Sequence, residues 1–384
     1  MKILIASLTI AAFSMPALLA ADAPLNHPGL MYIGTLDKKL LVFDEDKEEI
    51  VGEIPMEGVP RVAALSADKK QLFVVNTHMG LELVDLDTRK SSMLLDLVDG
   101  RSRPDMFELG PDLINPGNYD FGNFSGLAVD PTGQYLYSSM RVTVKELDEY
   151  RIEPMKFVAI DLRNRKIGKS FPFPKELDQG FGPLSTFKVS PDGKLLYVFS
   201  KDVLVFDLAT FKQVDKITLS KPLYPGASPL RLTASDDPYD DATKMTSVFT
   251  AVDPVVHKGT LGLATLNLLT REVNYNPIGP AYPMLGFMLS PDRKTGYSVM
   301  FNYAGGNRRT EWWVWDIPTH TVTKTQPFES RTTFRFGISS DGKKLYLYGS
   351  GSTLEIIDAA TLNSRKLLYL NRDITTNLIT LARK

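Results

Sequence analysis

The chain offers few side chains for nucleophilic, thiol or metal chemistry. Its 384 residues include no cysteine and only four histidines, which are His27, His78, His257 and His320. The histidines lie in four separate regions, and no two have the spacing of a metal site. We find no His-Glu-x-x-His, no Gly-x-Ser-x-Gly, no Walker loop and no Gly-x-Gly-x-x-Gly after a strand. The sequence therefore predicts no catalytic, cofactor-binding or metal-binding residue, and the histidines are interpreted as surface or turn residues.

Two local clusters remain candidates for ligand binding. The densest acidic run begins at Asp236 and ends at Asp241. Its carboxylates suit Ca²⁺, but it lacks the Gly and the terminal Glu of an EF-hand loop. We interpret it as a solvated loop, with a calcium site as the alternative. In the run Trp312-Trp313-Val314-Trp315, we expect Trp313 on the face opposite Trp312 and Trp315, and burial as their role, with ligand binding by one tryptophan as the alternative.

A repeated motif indicates which elements would hold any site. Seven times, an apolar stretch runs into an acid or amide and then a polar turn, at Asp44, Asp85, Asp161, Asp207, Asn267, Asp316 and Asp358. The separations are 41, 76, 46, 60, 49 and 42 residues, and four of them lie near the ~40 to 50 residues of one propeller blade. We therefore predict an all-β fold, a seven-bladed β-propeller of four-stranded antiparallel blades.

A second signature precedes five of the seven copies. It begins at Ser66, Asp130, Ser190, Ser290 and Ser339, and its fullest form is Ser-Pro-Asp-Gly. Pro fixes φ at the second position, Asp can bond its own backbone and Gly accepts a positive φ, so the signature predicts a tight hairpin between two strands. Because one such sheet cannot bury both faces alone, a ring of sheets is the expected solution.

The two chain ends are predicted to meet in one blade. The first blade offers only residues 31–34, 40–43 and 50–55 as candidate strands, whereas residues 365–369 already supply the outermost strand of the last blade. A further apolar stretch follows at 377–382. We expect this C-terminal strand to be the innermost strand of the first blade and to close the ring.

The start of the chain is typical of a secretory signal peptide. Lys2 precedes an uncharged, mostly apolar run that ends in Ala20 and Ala21. A membrane anchor is the alternative, and polar residues and a proline inside the run argue against it. We expect residues 1–21 to be removed and residues 22–384 to form one propeller domain in the periplasm, with no membrane insertion after cleavage.

Composition limits the chemistry of an exported chain. Without cysteine there are no disulfides, no covalent c-type haem, no cysteine-derived quinone and no thiol catalysis on this chain. The 44 basic and 45 acidic residues indicate no nucleic-acid partner.

Two intervals are longer than one blade. The interval from Asp85 to Asp161 is about 30 residues too long, and it contains residues 99–123, rich in Gly, Pro, Asn and aromatics. Long loops with aromatics more often bind something than merely connect strands, although packing over the second and third blades is the alternative. Tyr119, Phe121 and Phe124 are therefore candidate partner contacts. The second excess, residues 221–244, is predicted to be a loop that enlarges one blade.

Several segments carry a resemblance to a known family. They are RVTVKEL at 141–147, residues 150–154, FVAIDL at 157–162, GLATLNLLTRE at 262–272 and DAATL at 358–362. The first three resemble the third-blade region of the β subunit of quinohaemoprotein amine dehydrogenase. The resemblance extends from about residue 30 to the end. Its most distinctive part is the long third-blade hairpin, since the turn motifs occur in many exported propellers.

The resemblance implies a role in a periplasmic heterotrimer that oxidatively deaminates primary amines to aldehydes. In that family a small subunit carries cysteine tryptophylquinone, a larger subunit carries two c-type haems, and the propeller subunit has no cofactor. The propeller docks the small subunit and helps to enclose its active site. Residues 99–123 are longer than the usual connection of that family.

Two other functions fit the sequence. One is a stand-alone exported propeller that binds a ligand or a protein and has no dehydrogenase role. The other is a hydrolase of the lactonase type, with residues gathered around the central channel, although no nucleophile or metal set can be named for it. Partnership distinguishes the first two, because a dehydrogenase subunit copurifies with a haem protein and a quinone protein.

Overall fold

Strands and turns make up the whole described part of the chain. In the computed structural model it comprises residues 29–77, 80–96, 125–140, 143–145, 150–152, 154–174, 187–199, 202–219, 231–233, 243–252, 255, 259–281, 284–302, 309–329, 334–349 and 351–381. These residues form thirty strands and no helix. The predicted all-β class is confirmed.

The strands assemble into seven four-stranded antiparallel sheets and one two-stranded hairpin. The first blade contains β1 (Leu30–Thr35), β2 (Lys39–Asp44) and β3 (Glu49–Pro55). The second contains β4 (Pro60–Leu65), β5 (Gln71–Asn76), β6 (Gly80–Asp85) and β7 (Lys90–Asp96). The third contains β8 (Ser125–Val129) and β9 (Tyr135–Met140), then the hairpin β10 (Thr143–Lys145) and β11 (Tyr150–Ile152), then β12 (Lys156–Asp161) and β13 (Lys166–Pro172).

Four further blades repeat the same order. The fourth contains β14 (Phe187–Val189), β15 (Leu195–Phe199), β16 (Val203–Asp207) and β17 (Gln213–Ile217). The fifth contains β18 (Arg231–Thr233), β19 (Lys244–Val252), β20 (Gly259–Asn267) and β21 (Val273–Ala281). The sixth contains β22 (Met284–Leu289), β23 (Thr295–Asn302), β24 (Arg309–Asp316) and β25 (Thr321–Phe328). The seventh contains β26 (Phe334–Ile338), β27 (Lys344–Gly349), β28 (Thr353–Asp358) and β29 (Ser364–Tyr369).

The last strand closes the ring as predicted. β30 (Ile379–Leu381) pairs antiparallel with β1, with Ile379 opposite Tyr32, and completes the first blade from its inner side. Just before this strand, the chain passes so close to β1 that a Cβ on Gly34 would lie 2.4 Å from Cγ2 of Thr376. Only glycine permits this approach, and the Gly34 N–H donates to Oγ1 of Thr376 at 2.9 Å.

The core consists of seven apolar clusters, one at each interface between neighbouring blades. The cluster between the seventh and first blades joins Met31 and Phe43 to Tyr346 and Ile356, all 0% exposed. Middle strands are buried on both faces, which explains apolar runs such as LLVF in β2, whereas outermost strands such as β25 alternate between half-buried and exposed residues. Seven interfaces for seven blades mean a closed ring.

The repeated motif builds a repeated turn. Each of the seven Asp or Asn side chains accepts the backbone N–H three residues further on, at 2.7 to 3.1 Å. The next residue has a positive φ in all seven turns, at Glu48, Arg89, Arg165, Phe211, Arg271, His320 and Leu362. The side chain therefore satisfies the turn backbone and lets the outermost strand start in register.

The tryptophan expectation is wrong in one respect. Trp312 is buried between the sixth and seventh blades, and Trp315 is buried between the fifth and sixth. Trp313 lies with Trp315, at a ring distance of 5.6 Å, and not opposite to it. Side chains two residues apart on a strand share a face, so Trp312 is the one that points the other way.

Both long intervals contain strands. Part of the excess between Asp85 and Asp161 is the hairpin β10–β11, which separates β9 from β12 in the third blade, where a long hairpin was expected. Within residues 221–244, which were predicted to be a loop, β18 is the inner strand of the fifth blade. Short strands of three residues, such as β18, carry too little apolar periodicity to be distinguished from loop in the sequence.

Candidate functional site

The two ends of the ring carry different connections. One end, the turn face, holds the hairpins between the first and second strands and between the third and fourth strands of each blade. The other end, the insertion face, holds the connections between second and third strands and those between blades. The hairpin β10–β11 belongs to the insertion face, because it joins β9 to β12. Residues 97–124 are anchored at the same face, by the end of β7 and the start of β8.

The candidate partner contacts of the sequence belong to this last connection. Tyr119, Phe121 and Phe124 lie outside the described residues. The structure places the two ends of this connection, at β7 and β8, at the insertion face, and it does not place these three side chains.

Several apolar side chains are exposed at the insertion face of the described ring. Leu36 is 58% exposed in the first blade, Tyr369 is 70% exposed in the seventh, and Val252 and Val255 are 42% and 83% exposed in the fifth. Exposed leucines and valines are ordinary when single. Here they occur at the end of the ring that also carries the insertions, so a partner that covers this end would bury them.

A groove crosses the insertion face where the first and seventh blades meet. It has a volume of about 560 Å³ and is lined by Leu36, Asp37, Ser352, Asn371, Arg372 and Asp373. Nε of Arg372 lies 3.2 Å from Oδ2 of Asp37, and the same guanidinium contacts the Glu53 carboxylate. Partial desolvation opposes the ionisation of Asp37, but the Thr35 hydroxyl and the Arg372 charge together lower its pKa below the usual value. The groove is thus polar, with ion pairs that fix one wall and Leu36 as its apolar rim.

A fully buried carboxylate lies at the turn face, at the same junction between the seventh and first blades. Glu45 is 0% exposed, and its side chain accepts the Gly29 N–H at 2.8 Å, the Ser340 N–H at 3.2 Å and the Tyr346 hydroxyl at 3.1 Å. The Ser340 hydroxyl also donates to it, and the Lys344 ammonium donates to its backbone carbonyl. Desolvation raises the pKa of Glu45 above the usual value, although these hydrogen bonds oppose the shift.

Comparison with the other blades shows how unusual Glu45 is. It follows the motif acid Asp44, and in the other six copies that position is apolar, namely Leu86, Leu162, Leu208, Leu268, Ile317 and Ala359. Its partner Ser340 occupies the turn position that is proline in three other blades, Pro131, Pro191 and Pro291. Sequence reasoning missed this site, and the signal that identifies it is a charged residue at a position that is otherwise apolar. We call the Glu45, Ser340, Lys344 and Tyr346 network the closure network.

The remaining sequence candidates give no metal or catalytic centre in the described residues. His320 is at the positive-φ position of the sixth-blade turn, as expected for a turn histidine. His27, His78, His257 and the acidic run from Asp236 to Asp241 lie outside the described residues. The described part of the chain contains no group of three or more His, Cys, Asp or Glu residues that could hold a metal ion. Nor does any described segment form a helix long and apolar enough to cross a membrane.

Comparison with known proteins gives similarity of fold but no match in sequence. No family model and no curated protein sequence matches the chain. Among solved structures, it is similar to dihydro-heme d1 dehydrogenase NirN in complex with DHE, with 14% identity and a TM-score of 0.55 over 95% of this chain and 77% of that one. It is also similar to a functionally unknown protein of Desulfotomaculum acetoxidans, with 10% identity and a TM-score of 0.54 over 93% of this chain and 100% of that one. Kuenenia stuttgartiensis hydrazine synthase matches with 13% identity and a TM-score of 0.45 over 92% of this chain and 99% of that one.

At these identities the first two likenesses show a shared propeller fold. Any closer assignment rests on the site and on the sequence resemblance.

Proposed function

We propose that this chain is the propeller subunit, without a cofactor of its own, of a periplasmic quinohaemoprotein amine dehydrogenase. The observation that carries the proposal is the hairpin β10–β11. It is an insertion into the third blade, with Val144 paired to Arg151, in the segment where the family resemblance is most distinctive. The complex would oxidatively deaminate primary amines to aldehydes, and no complete active site would lie on this chain.

The division of labour follows from side-chain chemistry. Because the sequence has no cysteine, covalent c-type haem and cysteine tryptophylquinone must be carried by partner subunits. The proposed partners are a small quinone-bearing subunit and a dihaem cytochrome c subunit, in a heterotrimer. When bound, the quinone of the partner supplies the electrophile that the amine attacks. The propeller would supply a docking surface and exclude water.

The insertion face is suited to that task in three ways. It carries the inserted hairpin, it holds both anchors of residues 97–124, and it exposes Leu36, Val255 and Tyr369. Burying these apolar side chains against a partner favours association, since apolar area removed from water contributes roughly 25 cal/mol per Å². A site closed in this way is dry, so that charges and hydrogen bonds within it act more strongly than in water.

Copurification tests the proposed subunit role directly. The tagged chain would be isolated from the periplasm of its native host grown on a primary amine, and the recovered bands read by haem absorbance and quinone staining. Recovery of a haem band together with a small quinone-positive band is the expected result. A single colourless chain would overturn the proposal in favour of a stand-alone binding propeller.

Two matched substitutions test which face is used. Leu36→Asp places a charge on the insertion face, and Leu269→Asp places the same charge on a similarly exposed turn of the opposite face, where Leu269 is 46% exposed. We expect Leu36→Asp to reduce partner recovery at least tenfold and Leu269→Asp to leave it unchanged, because a charge buried without a partner costs roughly 2 kcal/mol or more at an interface. Equal recovery for both variants would remove the insertion face from the proposal.

The aromatic candidates have their own test. Replacing Tyr119 and Phe121 together with alanine is expected to weaken assembly and amine oxidation. If both remain unchanged, those two residues are not contacts.

A further inference from the structure

The innermost strands have a charge pattern that the rest of the chain does not share. The charged residues on the described inner strands are Arg61, Lys188, Arg231 and Arg335, and all four are basic. No described inner-strand residue is Asp or Glu. The whole chain, by contrast, has 44 basic and 45 acidic residues. Since inner strands line the central channel, the described wall of the channel is cationic.

Strand register shows how high along the channel each basic residue lies. Height is counted in residues along the second strand of each blade, starting with the residue that pairs with the motif Asp or Asn as residue one. The count rises from the turn face towards the insertion face. Lys188 pairs at the third residue, opposite Tyr197, and Arg231 pairs at the seventh, opposite Thr250. At about 3.3 Å per residue the basic residues are spread over about 13 Å of the channel.

Two of the arginines share one height near the insertion face. Arg335 pairs with Tyr348, the fifth residue of β27. Arg61 sits in the bulge of β4 where Val62 pairs with Val75, the fifth residue of β5. Both arginine side chains are exposed, although each lies on an innermost strand. Their exposure is therefore to the channel.

An amide lies between these two arginines at the same height. Continuing the β1–β30 register by two residues places Asn377 opposite Gly34, the fifth residue of β1. Nη1 of Arg335 donates to Oδ1 of Asn377 at 2.7 Å, so the seventh and first blades are joined here. On the other side, a Cβ on Gly34 would lie 3.0 Å from Cβ of Pro60, the residue before Arg61. We call Arg335, Asn377 and Arg61, on three successive blades, the channel arc.

The channel arc offers hydrogen-bond donors with few acceptors to satisfy them. A guanidinium has five N–H donors, and the bond to Asn377 uses one of those on Arg335. Because the amide oxygen of Asn377 accepts that bond, the NH₂ group of Asn377 can still donate to another acceptor. The side chain of Arg61 makes no hydrogen bond or ion pair with any described residue. Two guanidinium groups flanking an amide match the acceptor oxygens of a carboxylate or phosphate.

We propose that the central channel binds a small oxyanion, a carboxylate or phosphate group, at the channel arc. The two guanidinium groups hold its oxygens, the Asn377 amide donates between them, and Lys188 adds positive charge below. This site is separate from the docking role proposed for the insertion face, and either can be correct without the other.

Calorimetric titration of the purified chain at low ionic strength tests the site. Inorganic phosphate and succinate serve as separate probes, so that the result also tells a phosphate from a carboxylate ligand. We expect Arg335→Gln and Arg61→Gln each to weaken binding about 10- to 100-fold, as expected for the loss of a charge-assisted pair of hydrogen bonds. Binding should also weaken as NaCl is raised to 0.5 M, because the channel is open to solvent.

Two variants keep the test decisive. Arg163→Gln removes one positive charge from an exposed turn of the third blade, on the opposite face, and is expected to bind as the unmodified chain does. Asn377→Asp conserves shape but sets a carboxylate between the arginines, and should abolish binding while circular dichroism and the melting temperature stay close to those of the unmodified chain. The proposal is overturned if neither probe binds the unmodified chain, or if Arg163→Gln loses as much affinity as Arg335→Gln.

Discussion

Replacing Glu45 with leucine restores the residue type that the other blades have at this position, and yet it should destabilise the ring. The leucine removes the acceptor of the Gly29 N–H, the Ser340 N–H and the Tyr346 hydroxyl, all at a buried site. Each buried donor left unpaired costs ~1 to 3 kcal/mol, whereas burying the leucine returns ~2 kcal/mol. We expect a net loss of about 2 to 4 kcal/mol in the free energy of unfolding.

A second substitution should recover part of this loss. Ser340→Pro deletes two of the orphaned donors, the N–H and the hydroxyl, and proline already occupies the matching turn position in Pro191 and Pro291. The Tyr346 hydroxyl can then bond the backbone carbonyl of residue 45, as the Tyr197 hydroxyl bonds the Leu268 carbonyl at 2.8 Å. The double variant should be more stable than the sum of the single variants predicts, by about 1 to 2 kcal/mol.

Urea denaturation of the four proteins, followed by tryptophan fluorescence, measures this double-mutant cycle. The reasoning is refuted if Glu45→Leu is as stable as the unmodified chain. It is also refuted if the two substitutions are additive, since the closure network would then not couple the two blades.

The pH dependence supplies an independent check on Glu45. Desolvation raises the pKa of this carboxyl in the folded state, so between the unfolded and folded pKa values the folded state binds more protons. The contribution of Glu45 to stability is therefore fully present below the unfolded pKa and is lost as the pH rises through the folded pKa. Asp85 and Asp207, whose pKa values are lowered by turn hydrogen bonds, act in the opposite direction. The difference in the free energy of unfolding between the unmodified chain and Glu45→Leu should isolate the contribution of Glu45, and it should shrink with increasing pH.

Three more predictions concern the closure and packing of the ring. Deleting residues 377–384 should cost about 3 to 6 kcal/mol in urea denaturation, since Ile379 and Leu381 leave the core and β1 loses its partner strand, whereas deleting 382–384 alone should cost little. Gly34→Ala should lower stability by about 1 to 3 kcal/mol through its clash with Cγ2 of Thr376, and Thr376→Ser should relieve that loss when the two are combined. Trp315→Phe should cost about 1 to 2 kcal/mol more than Trp312→Phe, because Nε1 of Trp315 donates to Ser298 at 2.8 Å while Nε1 of Trp312 has no partner among the described residues.

Much of the ring could be predicted because its determinants are local. An apolar run, an acid and a polar turn recur with each blade, and the chemistry of Ser-Pro-Asp-Gly fixes a hairpin within five residues. Counting strands was enough to predict that the C-terminal strand closes the first blade, because an incomplete sheet at one chain end needs a strand from the other. The tryptophan faces were also decided locally, by the two-residue period of a strand, which places Trp313 with Trp315.

The candidate sites were harder to predict, because their partners are distant in the sequence. Glu45 and Ser340 are separated by 295 residues, and Arg335 meets Asn377 only after the ring has closed. In sequence each of these residues looks like an ordinary surface residue. The role of each residue depends on which residues of the neighbouring blade lie against it, and those are determined by the number of blades and the register of their strands. Reading each repeat position across all seven copies, and marking the copy that departs from the others, would have identified Glu45.

The closure network and the Arg335–Asn377 pair of the channel arc both lie where the seventh and first blades meet. From the seventh blade the chain continues only into β30, whereas β1, β2 and β3 of the first blade come from the other end of the chain. Strands from opposite ends must therefore pair in one register here, and directional hydrogen bonds to Glu45 discriminate between registers better than apolar contacts do. The same junction brings Arg335 to Asn377, so oxyanion binding at the channel arc should stabilise the closed ring. Addition of phosphate should therefore raise the unfolding midpoint of the unmodified chain but not that of Arg335→Gln. An equal rise in both would show that phosphate does not act through Arg335 at the channel arc.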